Sequence, residues 1–593
     1  MIHRLSTLFR QNFLNTKARA KQCSDSLSLT PYPLHAILFV VEKICDTLFL
    51  LEESALKSLC SVAQKHAKAA IALFFLAILL TGFFTTSQYG RAWDDGGEMN
   101  ILRMALKEYD ALLGADTTYS RYLQQSTLPR ISESIERDHG ICLYYPLFWA
   151  VCDADMPLQA LTQVWRMYTW CIFTFGLFAL YAAGRKMGFG RSVCCLGVLI
   201  MLLSPRFFAE GHYNNKDIPL MVLTLTVLWQ TARLMEKPSF GRGLCFAVAA
   251  GFCAATRVIG AAFVGLGGLM VILHLCWQKR MNLRVVWVAL TTLAAAAVIY
   301  ILLTPSFLAD PFGFIQYVLK NAVGFSRWHG NVMFWGDIYA VADLHPPRHY
   351  LPTFMAITTP LWMVTLLAVG CFLVLRRGWK ERLQMLSTVQ GAMLCTAMLS
   401  WMLPLGAGMA VRMLVYNGWR HVYFLYGPML LCLMYGLHVL LQMKLRRAIA
   451  AALAVCMLLT AGSIAVNHPY QYAYYNQLVP RENRAAVFEL DYWNLSCVDA
   501  LNELLSQTEG EIRIAASDRY TRSGLSMAAE YIGDSRLFVV TETDTVNQPD
   551  YLLANLSYAV MGGFEPDESM KPVVSVSAYG TPITVVYALT EGK

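Results

Sequence analysis

The chain has 593 residues, of which 56% are hydrophobic and 15% charged, with a mean hydropathy of +0.43. Soluble domains carry about a quarter charged residues, so an ordinary water-soluble fold is excluded. The net charge of +8 does not point to nucleic acid, because the basic residues sit in short loops between apolar runs.

The first sixty residues lack a compact apolar core followed by a small-residue cleavage site, so no cleavable signal peptide is expected, and the first span is expected to serve as an uncleaved one. Residues 33–51 are apolar but interrupted by Glu42, Lys43 and Asp46, which predicts a helix lying on the membrane surface. Eleven apolar runs follow, most near the ~20 residues that span a hydrocarbon core: 69–86, 160–183, 192–208, 218–235, 243–256, 258–276, 285–304, 352–375, 386–409, 421–442 and 446–466. The fifth is short for a span. Every second loop is basic: Arg185, Lys186 and Arg191; Arg233, Lys237 and Arg242; Lys279, Arg280 and Arg284; Arg376, Arg377, Lys380 and Arg382; Lys444, Arg446 and Arg447. That bias marks the cytoplasmic side. It predicts a multi-pass protein of the cell membrane with its N-terminus inside and its C-terminus outside, as eleven spans require.

The predicted organisation is a cytoplasmic segment 1–68 with the surface helix, a membrane domain 69–466 and an extracytoplasmic domain 467–593. Most non-helical sequence then lies outside, in loops 87–159, 209–217, 305–351 and 410–420. Within the first, Leu102, Ala105, Leu106, Tyr109, Leu112 and Leu113 follow a helical period over 97–114. Such a helix can lie flat on the outer surface. Cys142 and Cys152 share that loop and could pair. The tail reads as α/β: helix 484–507, strand 511–516, helix 525–532, strand 536–541, and a hairpin over 572–589 turning at Gly580-Thr581, most simply an extracytoplasmic cap. The fold class is thus an all-α polytopic membrane domain with a small α/β extracytoplasmic C-terminal domain. Asn494-Leu-Ser496 and Asn555-Leu-Ser557 match the glycosylation pattern, which is common by chance.

Several polar constellations fall on the predicted outer face. Arg91-Ala-Trp-Asp94-Asp95-Gly-Gly-Glu98 puts three carboxylates within five residues after the first span. They suit a general base for an acceptor hydroxyl, with a neighbour to orient it or hold a metal, or an acidic turn capping the helix that follows. Ser204-Pro-Arg206-Phe-Phe-Ala-Glu210-Gly-His212-Tyr-Asn214-Asn215-Lys216-Asp217-Ile-Pro219 links the third and fourth runs. Arg206, His212 and Lys216 there could meet a phosphate, and Asp217 adds an acid. Arg257, between two runs, could hold a lipid phosphate through a charge-assisted fork or snorkel to water. Trp328-His329, Phe334-Trp335 and His345-Pro-Pro-Arg348-His349-Tyr350 suit an interfacial belt or sugar stacking. Pro346-Pro347 argues against His345 and His349 as a helical metal pair. Tyr416-Asn-Gly-Trp419-Arg420-His421 brings Arg420 to the outer entrance of the tenth run. Acids in the first loop with several outer cations suit group transfer from a phosphate-linked lipid: cations stabilise the leaving phosphate and an acid activates the nucleophile.

The sequence resembles the GT-C class of membrane glycosyltransferases, in the protein O-mannosyltransferase-like (family 39) and ArnT-like group. The resemblance is carried by Asp94-Asp95, Ser204-Pro-Arg206 with Asn215-Lys216-Asp217-Ile-Pro219, Thr256-Arg257-Val-Ile-Gly260, His345 to Tyr350, Trp419-Arg420-His421, His468 to Asn476, and Phe488-Glu-Leu-Asp491-Tyr492-Trp493. It runs from about residue 70 to 495. It implies a GT-C-like catalytic domain and a polyprenyl-phosphate sugar donor used on the outer face with inversion at the anomeric carbon. Asp94 or Asp95 would be the base and Asp217 a second acid. Lys216 and Arg257 would bind donor phosphate, joined by Arg206 and Arg420, and Glu98, His212, His349 and Tyr350 would contact substrate. The pair here is Asp-Asp, followed by two glycines and Glu98, which leaves open which of the three acids acts. A divalent cation, magnesium or manganese, would sit on Asp94, Asp95 or Glu98 if one is used. The acceptor can be a lipid, a polysaccharide or a protein. The alternative is a lipid-linked sugar flippase or transporter, which predicts ionisable groups at mid-span; Arg166 is the main example. A third is a scaffold that binds a partner through its tail.

Overall fold

The computed structural model describes residues 66–114, 116–323, 330–340, 344–413, 415–481, 484–541 and 548–589. The expected surface helix over 33–51, and Trp328 and His329, lie outside the described residues. The residues from Ile71 onward belong to one compact unit, and the fold below is that of this unit.

Among the described residues, nine helices are long and apolar enough to cross a membrane, or ten if a bent pair counts as one span. The first three are α1 (Ala67–Thr85), α2 (Leu158–Lys186) and α3 (Asp217–Glu236). The others include Ile259–Trp277, Leu283–Leu303, Leu361–Glu381, Val389–Val411, Tyr426–Leu440 and Arg446–Val466. Helix α3 is almost wholly buried and forms the axis of the bundle. Leu283–Leu303 buries only Val285 and Val288, as a lipid-facing helix does.

The count of eleven needs two corrections. The expected straight span over 192–208 stops at Leu202, and a second helix, Pro205–Tyr213, departs at 73°. Pro205 lacks an N–H and its ring clashes with the preceding turn, so it ends the first helix and begins the next. What read as a polar loop over 209–217 is therefore largely helical, and every residue of Pro205–Tyr213 is buried. The fifth expected span, over 243–256, forms as Phe240–Thr256 and is only 17 residues long. Its ends nonetheless reach both ends of α3: Arg242 pairs with Glu236 at 2.9 Å and Arg257 with Asp217 at 2.9 Å.

The loops that read as basic gather at one end of the bundle. Lys186 bonds Glu236 at 2.7 Å, Arg280 bonds the Glu236 carbonyl at 3.1 Å, and Gln278 bonds the Ser387 carbonyl at 2.8 Å. Between Leu361–Glu381 and Tyr426–Leu440, glycines let the backbones approach closely. A Cβ on Gly370 would stand 2.4 Å from the Cys432 carbonyl oxygen, and one on Gly436 would stand 2.8 Å from Gly370 Cα. Gly370→Val is expected to force these helices apart and to cost about 1–3 kcal/mol, read as a lower thermal unfolding midpoint of the purified protein in detergent.

At the opposite end lie the long loops. The helix expected over 97–114 forms as Asp95–Leu113. Met99, Leu102 and Ala105 bury against Leu123, Ile131, Tyr144 and Leu147, while Leu112 and Leu113 stay exposed. Cys142 and Cys152 are both buried and free; Cys142 Sγ instead lies 3.6 Å from the Thr256 hydroxyl. The stretch expected as loop 305–351 contains the hairpin β1 (Asn331–Phe334) and β2 (Asp337–Ala340).

The tail is α/β, as expected, with one more strand than was read. A five-stranded sheet places Leu537–Val539, Ile512–Ala516 and Tyr551–Asn555 in parallel, then Thr581–Ala588 and Lys571–Ala578 antiparallel. The hairpin turns one residue earlier than expected, at Tyr579-Gly580, where both φ angles are positive (52° and 74°). The helix expected over 484–507 is broken into Arg484–Val487 and Ser496–Gln507. The Asp491 carboxylate accepts the backbone N–H groups of Leu495 (3.2 Å) and Ser496 (3.0 Å), a local bond that competes with helix. Asn494 and Asn555 are fully buried, so neither sequon is presented to solvent.

Candidate active site

Three acids start the helix Asp95–Leu113, and the fold gives each a different task. Asp94 is at the N-cap position, but its side chain makes no capping bond. It reaches Arg420 NH1 at 3.0 Å and Lys216 Nζ at 3.6 Å. Asp95 turns away. It accepts the Ala92 N–H at 3.0 Å and Arg166 NH2 at 2.8 Å, and Arg166 also bonds the Tyr89 and Gly90 carbonyls. This pair is sealed, with side-chain exposures of 0% and 1%. Arg166, the charge that would have favoured a transporter, is therefore a clamp on the loop that carries the acids. Glu98, one helical turn after Asp94 and on its face, holds Lys216 Nζ at 2.8 Å and His139 Nε2 at 3.1 Å.

Asp94 is thus the one of the three with access to a ligand: its side chain is 13% exposed, against 1% for Asp95 and Glu98. Burial would raise the Asp94 carboxyl, but the Lys216 and Arg420 cations outweigh it and hold it at about 2. Burial likewise works against Glu98, and His139 and Lys216 outweigh it, so that carboxyl also lies below its ordinary value. Burial would lower Lys216; Asp94 and Glu98 instead keep it protonated, well above the usual lysine range.

Asn214 builds the second half of the site. Its Oδ1 accepts the N–H groups of Lys216 (3.2 Å) and Asp217 (2.9 Å), capping α3, and its amide bonds Glu210 at 2.7 Å and Asp217 at 3.1 Å. Lys216 and Asp217 begin the helix as expected, with Pro219 in its first turn. Asp217 then meets Arg257 at 2.9 Å, where an extended residue separates Phe240–Thr256 from Ile259–Trp277. Asp94, Glu98 and Asp217 face Lys216, Arg257 and Arg420, three charges of each sign. A phosphate entering here competes with the carboxylates for cations already held in place.

The other expected residues are placed differently. Arg206 does not join this cluster; it bonds the Tyr492 hydroxyl at 3.3 Å and lies over the Tyr475 ring. His212 is stacked on Trp170 at 4.2 Å, with one ring nitrogen against the Thr85 hydroxyl (2.9 Å) and the other against the Phe208 carbonyl (2.9 Å). Both nitrogens are engaged, so it is a packing residue. His349 is exposed and lies beside Phe334. Tyr350 is buried and its hydroxyl accepts the Gly418 N–H at 3.2 Å. As for a metal, Lys216 occupies the position between Asp94 and Glu98 while Asp95 faces Arg166, so the three acids do not converge. Among the described residues no group of three His, Cys, Asp or Glu side chains is arranged to hold a metal ion.

Two contributions were not among the expected site residues. His139 comes from the long first loop, with no motif around it to mark it. The tail segment 488–493 enters the membrane domain: Tyr492 bonds Glu210 at 2.6 Å, Trp493 lies 4.6 Å under the Arg420 guanidinium, and the Trp493 carbonyl accepts the Trp93 N–H at 3.0 Å. Its signal was the Phe488 to Trp493 motif.

No protein-family model matches the sequence, and no curated protein matches it. Among solved structures the chain is similar to ArnT from Cupriavidus metallidurans in the apo state, at 12% identity and a TM-score of 0.45, over 88% of this chain and 98% of that one. A second structure of that protein, bound to undecaprenyl phosphate, matches at 13% identity and a TM-score of 0.43, over 89% and 99%. The Archaeoglobus fulgidus oligosaccharyltransferase matches at 10% identity and a TM-score of 0.41, over 87% of this chain and 74% of that one. The likeness is one of chain path, and the chemistry is read from this chain's own residues.

Proposed function

We propose that this protein is a membrane glycosyltransferase that moves a sugar from a polyprenyl-phosphate donor to an acceptor hydroxyl on the outer face of the membrane. The observation that carries the reading is Lys216 held between Asp94 and Glu98, with Arg420 on the far side of Asp94. The motif resemblance supports the donor class. In this reading Lys216, Arg420 and Arg257 take the donor phosphate. Asp94 removes the acceptor proton as the acceptor oxygen bonds the anomeric carbon. The bond from that carbon to the phosphate oxygen breaks, and its electron pair leaves on the polyprenyl phosphate, whose charge the cations stabilise.

At about 2, Asp94 is a weak base while Lys216 and Arg420 lie on it. Phosphate drawing those cations away returns the carboxyl toward the ordinary range and strengthens it as a base. Donor binding and base activation are then one exchange of ion pairs, which limits proton loss without donor.

The test is a transfer assay on purified protein with radiolabelled polyprenyl-phosphate sugars. Release of polyprenyl phosphate with label on an acceptor supports the reading. Donor flux across liposomes without any turnover overturns it in favour of a flippase. Lys216→Ala is expected to raise the donor KM at least about tenfold, since a hydrogen bond to a charged group contributes ~1.5–3 kcal/mol.

A further inference from the structure

Beside the acid–cation cluster, two opposite charges are buried without meeting each other. Arg206 and Glu489 are each 2% exposed. Glu489 accepts the Met333 N–H at 3.3 Å through Oε1, and its Oε2 has no hydrogen-bond partner. Arg206 donates NH1 to Tyr492, while its Nε and NH2 have no partner. A buried polar group left unanswered bears its full desolvation penalty, and more so when charged. Folded proteins rarely leave one in that state.

The two groups share their surroundings. Both stand against Tyr475: Arg206 lies 5.3 Å from the ring, and the Tyr475 hydroxyl donates to the Glu489 carbonyl at 2.8 Å. The charges of Arg206 and Arg420 both act on Glu489, and Arg420 is also the partner of Asp94. Gly418, at φ +72°, lets its backbone lie close against Arg206, since a Cβ there would stand only 3.3 Å from NH1.

We propose that Arg206 and Glu489 bind the hydroxyl groups of the donor's sugar ring, next to the phosphate subsite at Lys216 and Arg420. This rests on the transferase reading above. A hydroxyl both donates and accepts, so adjacent ring hydroxyls can answer Glu489 Oε2 and the free Arg206 N–H groups together. A second phosphate would be repelled by Glu489, and an apolar ring would answer neither charge. A neutral hydroxylated ring satisfies both, with the faces of Tyr475 and Tyr492 beside it. Burial pushes the Glu489 carboxyl up to about 7, so near neutral pH it can accept a hydroxyl proton or offer its own. The site would select for hydroxyl pattern, because buried polar groups reject an analogue that leaves them unpaired.

The test measures binding of undecaprenyl phosphate, and of its hexose and pentose derivatives, to the purified full-length protein. Glu489→Ala and Arg206→Gln are expected to weaken the best sugar-bearing lipid about tenfold or more while leaving undecaprenyl phosphate unchanged. Lys216→Ala weakens both. Affinity for undecaprenyl phosphate also reports folding; where it is lost in Glu489→Ala or Arg206→Gln, Glu489→Gln, which keeps the shape, and Arg206→Lys, which keeps the charge but not the fork of donors, give the same comparison. An unchanged ratio of sugar-bearing to bare lipid affinity in these variants overturns the inference and leaves the transferase reading standing. Failure of the wild type to bind either lipid overturns the transferase reading.

Discussion

Asp94→Asn is expected to lower sugar transfer by about 10²- to 10⁴-fold, the usual contribution of a positioned general base, with little change in unfolding temperature. The replacement has the same shape, and the lost carboxylate does not cap its helix. Lys216 keeps Glu98 at 2.8 Å. Arg420 keeps its place over the Tyr416 and Trp493 rings, at 5.2 and 4.6 Å. The phosphate subsite therefore survives, and undecaprenyl phosphate should bind the variant at least as well as the wild type, since a competing carboxylate has gone. Loss of turnover with retained lipid binding would mark Asp94 as the base. Full turnover in a well-folded Asp94→Asn protein would remove it from that role and pass the assignment to Glu98 with His139 or to Asp217.

Asp95→Leu, one residue on, is expected to destroy the fold rather than the chemistry. It leaves Arg166 as an uncompensated charge at 0% exposure, and breaking a buried pair by removing one partner costs about 3–5 kcal/mol. Thermal unfolding in detergent should show this directly, with little folded protein recovered. Adding Arg166→Leu should restore stability only in part. A matched apolar pair can replace a buried ion pair, but the carbonyls of Tyr89 and Gly90, which Arg166 also serves, would stay unpaired. The double-mutant cycle therefore separates the ion pair from the loop clamp. An Asp95→Leu protein that is stable but inactive would contradict this division and return Asp95 to the list of bases.

Glu489 gives a pH signature of opposite sign to an ion-paired acid. Its folded carboxyl sits above its unfolded value, at about 7, so its contribution favours folding at low pH and is lost as pH rises through about 7. Glu489→Gln removes that titration. The unfolding temperature of the variant relative to wild type should rise between pH 5 and pH 8; a constant difference would place Glu489 in a more polar setting.

Much of the membrane domain was legible because the solvent dictates it. A hydrocarbon core demands apolar runs of one length and excludes charge from them, and the alternating basic loops do gather at one end of the bundle. The exceptions have local causes that are also in the sequence. Pro205 broke an apolar run into two helices, and the carboxylate of Asp491 drew a helical pattern into a turn.

The roles of the acids were not legible. Asp94, Asp95 and Glu98 are equivalent as residue types within five positions, and only their partners distinguish them. Those partners are Arg420, Arg166 and His139, at 326, 71 and 41 residues' separation. The same holds for Glu489, which lies in a tail that reads as a separate cap yet enters the membrane domain beside Arg206. The sequence by itself determined the solvent, the span pattern, the α/β character of the tail and the residue types available for chemistry, because hydrophobic periodicity and turn chemistry act over a few residues. Which carboxylate is sealed, which is accessible and which charge is left unanswered was decided only by tertiary structure, because desolvation and Coulomb interactions depend on distance in space and not on distance along the chain.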